Sequence, residues 1–303
     1  MSSSVDYKSF NFSENINKER DLFVEYTSDL VKNANNEVPS VFSDEYLPYS
    51  EEIDKYFKEF ILPLKENFKN YNLAVTGAIA SGKSTILEIL NKVFNKFLFK
   101  VNLVPEYLGI DKELGGKMLE KKISGNISNT TFQNYIMDQY KKRLEENSSE
   151  NCNICLFERL PDDSILCFSN ISHFDEVDLT TFDLFVLDKR MKALNEKYHI
   201  PTYRNEDSAF EVFTSNEYNI LTITILKLIR EDIINGVRNR IIGLDVSTNL
   251  TITRLNKRAR PGEDGYSVEY LNRIVEYYKK LYRIMKTDRS LLNKFTCIGT
   301  LLA

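Results

Sequence analysis

One stretch near residue 80 constrains the fold of this chain more than any other feature of its sequence. A short apolar run at residues 73–76 leads directly into G-x-x-x-x-G-K-S, from Gly77 to Ser84, and residues 86–94 follow with helical apolar spacing. The two glycines permit backbone angles that a Cβ would block, so successive amide N–H groups can turn toward phosphate oxygens. The pattern predicts a strand, a phosphate-binding loop and a helix, although a pattern this short also arises by chance.

The polar residues of this loop suit the binding of ATP and Mg²⁺. Lys83 supplies a mobile positive charge for the transferred phosphate, and the Ser84 hydroxyl is placed to ligate Mg²⁺. The positive N-terminal end of the following helix adds to the attraction for phosphate. We therefore expect ATP and Mg²⁺ as cofactors. The residues predicted to bind ATP are Gly77, Ala78, Ile79, Ala80, Ser81, Gly82, Lys83, Ser84 and Thr85.

The composition is that of a folded protein without a strong overall charge. The chain has 303 residues, of which 42% are hydrophobic, enough to bury a large core. Its 40 basic and 44 acidic residues give a net charge of −4, which disfavours a nucleic acid or an anionic membrane as partner. No apolar run approaches the roughly 18 residues needed to span a bilayer. We expect small-molecule ligands, with neither a nucleic-acid nor a membrane partner.

The four cysteines favour a reducing, cytoplasmic location, because residues 1–19 lack the pattern of a secretory signal peptide. Cys152-x-x-Cys155 has the spacing of a redox motif or of half a zinc site. The sequence offers no second cysteine pair or histidine cluster to complete a zinc site, and residues 151–158 are typical of a strand. Ordinary buried strand cysteines are the favoured interpretation.

The rest of the chain alternates predicted strands and helices. Residues 1–50 are rich in Ser, Asn, Asp and Glu and are predicted to form a loosely ordered extension to one folded domain over residues 51–303. The domain is expected to begin with a helix over residues 51–69, interrupted by Pro63. Residues 109–129 and 199–207 are interpreted as polar connections.

The order of these elements predicts the architecture. Further strands are predicted at residues 97–104, 154–157, 240–246 and 295–299. Further helices are predicted at residues 130–144, 162–168, 181–198, 217–238 and 267–285. This βαβ order indicates an α/β fold with a doubly wound, mostly parallel five-stranded sheet flanked by helices.

Two predicted strands end in residues suited to phosphoryl transfer. Glu106 lies just beyond the second strand, where open α/β sheets bind ligands, and is a candidate general base; a solvated loop glutamate is the alternative. Glu158 and Arg159 follow the third strand, where a Mg²⁺ ligand and a phosphate-contacting cation are needed. A surface ion pair would have the same pattern.

One helix carries an apolar stripe beside a glutamine. The stripe has i, i+4 spacing, and Gln133 lies one step off it. A helix that merely packs on the sheet has the same pattern. The stripe residues are Phe132, Ile136, Tyr140 and Leu144.

Three arginines precede a Pro-Gly turn late in the chain. Arg254, Arg258 and Arg260 fit an arginine-rich lid that closes on phosphates, because the guanidinium fork matches phosphate geometry. A solvated basic helix end, stabilised by the helix dipole, is the alternative.

Five motifs in this order make the chain resemble the deoxynucleoside kinase family, and within it the herpesvirus-type thymidine kinases. They are GAIASGKST, VPEY, TFQNY, FERLPDDSILCF and RLNKRARPGE, and the resemblance covers residues 73–282. It implies a fold of the P-loop NTPase type and ATP-dependent phosphorylation of a nucleoside 5′-hydroxyl in nucleotide salvage. It also implies a viral source and a homodimer.

The resemblance implies roles for the residues around the transferred phosphate. Lys83 and Ser84 would hold the ATP phosphates and Mg²⁺, and Glu106 would take the proton of the 5′-hydroxyl. Glu158 would serve Mg²⁺ and Arg159 the 5′ end of the nucleoside. The lid arginines would be Arg254, Arg258 and Arg260.

The resemblance also implies contacts to the nucleoside itself. Gln133 would make paired hydrogen bonds to a pyrimidine, between Phe168 stacked on one side of the base and Ile136 on the other. Glu263 would contact the sugar 3′-hydroxyl. A sugar-contacting tyrosine would be Tyr107 or Tyr135, and the choice between them stays open.

The sequence departs from the family pattern in ways that bear on the substrate. Leu160 replaces a histidine or serine, and Asp162 and Asp163 stand where the viral enzymes are apolar. Relatives that prefer deoxycytidine or purines place an Arg and an Asp beside the base, where this chain has Tyr140 and Ser164. The absence of that pair favours a pyrimidine, and thymidine is the expected substrate because RPGE, Pro161 and Tyr140 resemble the viral enzymes. Deoxycytidine, phosphorylation of a monophosphate, and a catalytically inactive nucleotide-binding interaction protein are the alternatives.

Overall fold

The structure is a computed structural model that describes residues 50–106, 112–146, 152–169, 181–214, 217–258, 263 and 265–292. Most of the predicted N-terminal extension, residues 1–49, and the strand predicted at residues 295–299 lie outside these ranges. Tyr107 and Arg260 also lie outside them.

Within the described residues, five strands form one sheet in which all neighbouring pairs are parallel. The spatial order is β2-β3-β1-β5-β4, and Leu73 of the central strand lies opposite Leu156 on one side and Arg240 on the other. The strands are β1 (Tyr71–Gly77), β2 (Val101–Val104), β3 (Ile154–Glu158), β4 (Ser208–Phe213) and β5 (Asn239–Leu244). The prediction of a parallel five-stranded sheet is confirmed.

Helices connect and cover these strands. The α-helices are α1 (Glu51–Tyr56), α2 (Lys83–Lys96), α3 (Lys112–Ile123), α4 (Asn129–Glu146), α5 (Thr181–Tyr198), α6 (Tyr218–Asn235), α7 (Thr248–Arg258) and α8 (Val268–Thr287). Shorter helical segments are the π-helical turns Phe57–Ile61 and Ser164–Ser169, the 3₁₀ turns Leu62–Asn67 and Arg289–Leu291, and one α turn at Pro161–Asp163. No helix in the described ranges is long and apolar enough to cross a membrane.

The sheet is covered on both faces, as a doubly wound fold requires. Side chains alternate along β1, so Leu73 and Val75 lie in one apolar cluster and Ala74 in another. The first cluster contains buried side chains of α1, α2 and α6, and the second those of α4, α5 and α8. Because both faces are buried, β1 is a continuous buried strand with no exposed residue.

The structure corrects two expectations about the elements. Residues 109–129 do not form only a polar connection, because α3 occupies Lys112–Ile123; its adjacent glycines 115 and 116 weaken the helical signal in the sequence. The edge strand next to β5 is β4, a segment not predicted as a strand. It lies at the sheet margin and is mostly half-buried, so it lacks the continuous apolar run of a central strand.

Alanine in place of Gly77 is expected to destabilise the fold more than alanine in place of Gly125. A Cβ on Gly77 would lie 2.7 Å from the carbonyl oxygen of Leu244, at a φ of +148°. Gly125 also has a positive φ, +74°, but no described heavy atom lies within 4 Å of its added Cβ. We expect a loss of ~1 kcal/mol from Gly125→Ala through backbone strain alone. Gly77→Ala should cost ~1–3 kcal/mol more.

Urea unfolding of both variants measures this difference in the free energy of unfolding. Equal losses would contradict the close approach of β5 to the start of the loop.

Candidate active site

Parallel strands bring the predicted functional residues to one edge of the sheet. The central strand β1 ends at Gly77, β3 ends at Glu158, and Glu106 follows the end of β2 by two residues. Since carboxyl ends of parallel strands share an edge, three segments far apart in sequence meet there. The phosphate loop, Glu106 and the Glu158–Arg159 pair therefore form one site.

The phosphate loop is a tight turn between β1 and α2. Ala80 and Gly82 adopt left-handed angles, with φ of +55° and +97°, and α2 begins at Lys83. The Lys83 ammonium is buried and donates hydrogen bonds to the carbonyl oxygen of Ala78, at 2.9 Å, and to Ser81 Oγ, at 3.4 Å. This conformation points the lysine back across the loop, as binding of a terminal phosphate there requires.

Arg159 donates hydrogen bonds to three other residues of the site. Its Nε donates to Glu106 Oε1 at 2.8 Å, and its Nη1 donates to the carbonyl oxygen of Gly77 at 2.6 Å and to the Tyr278 hydroxyl. The Arg159 side chain is 6% exposed and that of Glu106 17% exposed, and Glu158 is buried as well. Glu106 is therefore not a solvated loop glutamate, and Glu158 and Arg159 are not a surface ion pair. Arg159 follows β3, and its guanidinium contacts Gly77 at the end of β1 and Glu106 just beyond the end of β2.

The backbone at Arg159 is strained and is held in place by its neighbours. Arg159 has a φ of +65°, which a residue with a side chain rarely adopts, and its N–H donates to the carbonyl oxygen of Val75 at 2.9 Å. Asp163 accepts a hydrogen bond from the next N–H, that of Leu160, at 2.9 Å. Strain of this kind is typical of functional sites.

Ser84 and Glu158 fit a Mg²⁺ site. Ser84 Oγ donates to Glu158 Oε1 at 2.6 Å, and Glu158 Oε2 lies 3.4 Å from the N–H of Glu106. Neighbouring oxygen ligands of an octahedral Mg²⁺ are about 2.9 Å apart, close to the separation seen here. A hydroxyl and a carboxylate are also the hard oxygen donors that Mg²⁺ prefers, with phosphate oxygens and water completing the shell.

Glu106 and Lys83 both have lowered pKa values. Burial raises the pKa of Glu106, but the positive charges of Arg159 and Lys83 outweigh burial and lower it to about 2. Burial and the nearby Arg159 charge lower the pKa of Lys83 to about 7. At neutral pH Glu106 is therefore a carboxylate, while Lys83 is partly deprotonated until a neighbouring anion restores its charge.

Arg254 and Arg258, two of the arginines predicted to form a lid, lie near the loop. Arg254 Nη1 donates to the carbonyl oxygen of Ala80 at 3.2 Å, and Leu255 packs in one cluster with Ile79 of the loop. Arg258 forms a two-pronged ion pair with Glu263, whose carboxylate is buried. The structure thus brings two of the three predicted lid arginines to the site, and Arg260 lies outside the described residues.

Three of the residues predicted to bind the nucleoside lie in the apolar cluster beside Arg159, namely Ile136, Tyr140 and Phe168. The Phe168 ring centroid is 4.9 Å from Arg159 Cζ, and the turn that carries Phe168 packs against α4. From α4, Tyr140 donates to the backbone oxygen of Glu158 at 3.2 Å, and Ile136 is buried. Gln133 is 2% exposed rather than at the edge of the helix.

Gln133 has an unusual hydrogen-bonding state. Its Nε2 donates to Asn129 Oδ1 at a long 3.4 Å, and its Oε1 is buried with no hydrogen-bond partner among the described residues. A buried amide oxygen without a donor is costly, so one that persists in a fold indicates a ligand or water that supplies the donor.

Sequence reasoning missed two residues that hold Arg159. Tyr278 of α8 accepts a hydrogen bond from Arg159, but its position in an apolar helical face gave no sign of this. Asp163 accepts hydrogen bonds from the hydroxyls of Thr76, at 2.8 Å, and Tyr203, at 2.9 Å, as well as from the N–H of Leu160. Proline followed two residues later by an acid is a helix-start signal, and it could have predicted this capping role.

A second concave region lies at the ends of β4 and β5 and has a volume of about 430 Å³. It is lined by basic side chains of α8, but acidic neighbours offset two of them: Lys279 Nζ is 3.1 Å from Glu276, and Lys286 Nζ is 3.9 Å from Glu211. Asp245 lines it as well. The charges balance, so this region does not compete with the phosphate loop as an anion site.

No protein-family model and no curated protein matches the chain. Among solved structures, it is similar to deoxyadenosine kinase from M. mycoides with bound dCTP, with a TM-score of 0.43 and 19% identity over 72% of this chain and 86% of that chain. The dATP-bound structure of that kinase gives a TM-score of 0.42 and 18% identity, over 71% and 86% of the two chains. Both scores are below 0.5, so we base the functional proposal on the side chains of this chain.

Proposed function

We propose that the protein is a deoxynucleoside kinase that transfers the γ-phosphate of ATP to the 5′-hydroxyl of thymidine. The observation that supports this most strongly is the buried Glu106–Arg159 ion pair at 2.8 Å, beside Lys83 of the phosphate loop. Nucleotide binding alone gives no reason to place an ionised carboxylate at this edge. Transfer to a hydroxyl does, because the hydroxyl must lose its proton.

The proposed reaction assigns one task to each charged side chain. The nucleoside O5′ forms a bond to the γ-phosphorus, the bond from that phosphorus to the bridging oxygen of ADP breaks, and Glu106 takes the hydroxyl proton. Arg159 holds Glu106 in position and, with Lys83, neutralises charge on the transferred group. A carboxylate with a pKa near 2 is a weak base, so it takes the proton late, as in a loose transition state.

Mg²⁺ would be held by Ser84 and Glu158, and when bound it would neutralise the phosphate oxygens of ATP. Arg254 and Arg258, the described arginines of the predicted lid, would add further positive charge around the phosphates. In this proposal Glu263 releases Arg258 when the nucleoside binds. Its carboxylate then accepts a hydrogen bond from the sugar 3′-hydroxyl.

Thymidine is proposed among the pyrimidines because RPGE, Pro161 and Tyr140 resemble the viral thymidine kinases. Gln133 can bind it: the buried Gln133 Oε1 lacks a donor among the described residues and the N3–H of thymine is a donor, while the Gln133 amide N–H group can serve a thymine carbonyl. Phe168 and Ile136 lie in the same apolar region and would enclose the base. Deoxycytidine is the alternative, because an amide that flips presents the opposite pattern.

Two other functions are less well supported. A monophosphate kinase needs a further cation for the acceptor phosphate, and the sequence indicates none beyond the lid. A binding protein without catalysis has no need for the buried Glu106–Arg159 pair. The homodimer, the viral source and the cytoplasmic location stay predictions from the sequence, as do the absence of nucleic-acid and membrane partners.

Binding of ATP is expected to take up a proton at about pH 8. The pKa of Lys83 is about 7 in the free protein, so most molecules carry the amine neutral at that pH. An adjacent phosphate favours the ammonium and raises the pKa, so the proton must come from the buffer. Calorimetric titration in two buffers of different ionisation enthalpy measures the uptake.

The matched variant is Lys83→Arg, in which the side chain stays charged throughout and the uptake should vanish. Identical binding enthalpies for the natural protein in the two buffers would contradict the assignment of Lys83.

Gln133→Leu is expected to lower kcat/KM for thymidine by roughly tenfold to a hundredfold, since it removes both hydrogen bonds to the base. The change should act mainly on nucleoside KM and leave the KM for ATP unchanged. The matched control is Gln139→Leu, the same substitution at a half-buried position on α4. Equal losses in the two variants would show that Gln133 only supports the helix.

The proposed function is tested with purified protein, Mg²⁺ and γ-labelled ATP, offered each of the four deoxynucleosides and thymidine monophosphate. Labelled thymidine monophosphate as the main product supports the proposal. Labelled diphosphate from thymidine monophosphate alone would instead identify the monophosphate kinase.

A further inference from the structure

Two cysteines at the amino end of β3 approach each other closely. Cys152 lies just before the strand and Cys155 within it, and their sulfur atoms are 2.8 Å apart. This is the end of the strand opposite to Glu158 and Arg159. The function proposed above does not use these thiols.

The separation fits a dithiol better than a metal site. Two thiolates bound to one tetrahedral Zn²⁺, at about 2.3 Å each, would lie about 3.8 Å apart. The described residues also contain no group of three or more His, Cys, Asp or Glu side chains that could hold a metal. A disulfide requires about 2.0 Å, which the sulfurs can reach by a shift of under about 1 Å.

The neighbours of Cys152 fix its backbone. The Asn70 N–H donates to the carbonyl oxygen of Cys152 at 3.1 Å, and the Cys152 thiol donates to Asn70 Oδ1 at 3.6 Å. A hydrogen bond from Cys155 lowers the pKa of the Cys152 thiol, and a thiolate is the reactive form. Asn72 and Asn102 flank Cys155 across the sheet, so its neighbours in the ladder are polar.

We propose that Cys152 and Cys155 are a redox-active dithiol that closes to an intramolecular disulfide on exposure to a hydroperoxide. The Cys152 thiolate attacks a peroxide oxygen, the O–O bond breaks, and Cys152 becomes a sulfenic acid while the second oxygen leaves as hydroxide. The Cys155 sulfur then attacks Cys152, the S–O bond breaks, and the thiol proton leaves with the oxygen. In total two thiols are oxidised and one hydrogen peroxide is reduced to two waters.

This proposal differs from the interpretation of these two positions as ordinary buried cysteines. Cys152 is 7% exposed and Cys155 is half-buried, whereas Cys167 is fully buried in the apolar cluster, where burial raises its pKa. It is therefore an internal control for selective oxidation.

The experiment treats the reduced full-length protein with stoichiometric hydrogen peroxide, alkylates the remaining thiols, and digests with trypsin without reduction. Residues 144–159 form one tryptic peptide that contains both cysteines, and Cys167 lies in another. We expect alkylatable thiols to fall from four to two per chain, with both losses in that peptide and recovery on reduction. In Cys155→Ser the sulfenic acid of Cys152 should persist and be trapped by dimedone, while Cys167→Ser should still close the disulfide.

Several results would overturn the proposal. One is that all four thiols stay alkylatable after peroxide. Another is that Cys167 is oxidised to the same extent as Cys152 and Cys155. A third is that Cys152 becomes a sulfinic acid while the Cys155 thiol remains. None of these readouts depends on kinase activity, so the proposal and the proposed function fail separately.

Discussion

Glu106→Gln is expected to lower kcat for phosphoryl transfer by on the order of a hundredfold or more, the usual contribution of a general base. The substitution keeps the shape of the side chain and an oxygen that can accept from Arg159 Nε, but it removes the charge that takes the proton. Affinity for ATP should change little, because the phosphate loop is untouched. Steady-state kinetics with thymidine and ATP measure both quantities.

Glu211→Gln is the matched control. Glu211 is also a carboxylate of the sheet, in edge strand β4, with Lys286 as its neighbour at 3.9 Å. Its substitution should leave kcat within about twofold, as for other exposed pairs. An unchanged kcat in Glu106→Gln would contradict the role of Glu106 as the general base.

Arg159→Lys is expected to lower kcat/KM by roughly 10²–10³-fold, as for loss of a preorganised donor in an active site. Lysine keeps the charge but replaces a fork of donors by one mobile ammonium. That ammonium cannot contact Glu106, the carbonyl oxygen of Gly77 and the Tyr278 hydroxyl in the same geometry. The ends of the strands would no longer be joined by one rigid group.

Arg273→Lys on α8 is the corresponding control, because Arg273 pairs with Glu269 on the exposed face of that helix, at 2.8 Å. Its activity should equal that of the natural protein. A thermal unfolding curve for Arg159→Lys separates misfolding from lost catalysis. Full activity in a folded Arg159→Lys protein would contradict the role given to the guanidinium.

The sequence predicted the parts of the fold that depend on local pattern. Gly77 and Gly82 fixed the position of the phosphate loop, and the helix predicted at residues 181–198 has the bounds observed for α5. The placement of Glu106 and Glu158 near one another followed from parallel strand order alone. These predictions succeeded because chain order and backbone geometry determine them.

Other features depend on contacts between distant segments. Edge strand β4 was missed because a half-buried margin does not require an apolar run. Tyr278 reaches Arg159 from a helix 119 residues later in the chain, and no local pattern indicates such a contact. The lowered pKa of Lys83 likewise results from burial and from Arg159, which only the folded chain brings together.

The apolar stripe on α4 left the environment of Gln133 open. Gln133 lies one step off the stripe, and only the structure shows that it is buried, with an oxygen that lacks a donor among the described residues. Helix α4 packs against α3, α5 and the turn that carries Phe168. These neighbours are other segments of the chain, so the local pattern does not show which faces of the helix they cover.

The central claim is that this edge of the sheet transfers a phosphoryl group to the 5′-hydroxyl of a nucleoside. The most direct measurement compares thymidine with 5′-deoxythymidine, which lacks that hydroxyl, as acceptors of labelled phosphate from Mg²⁺-ATP. We predict labelled thymidine 5′-monophosphate from thymidine and no labelled nucleotide from 5′-deoxythymidine. No labelled product from any deoxynucleoside, with a folded protein that still binds ATP, would contradict the account.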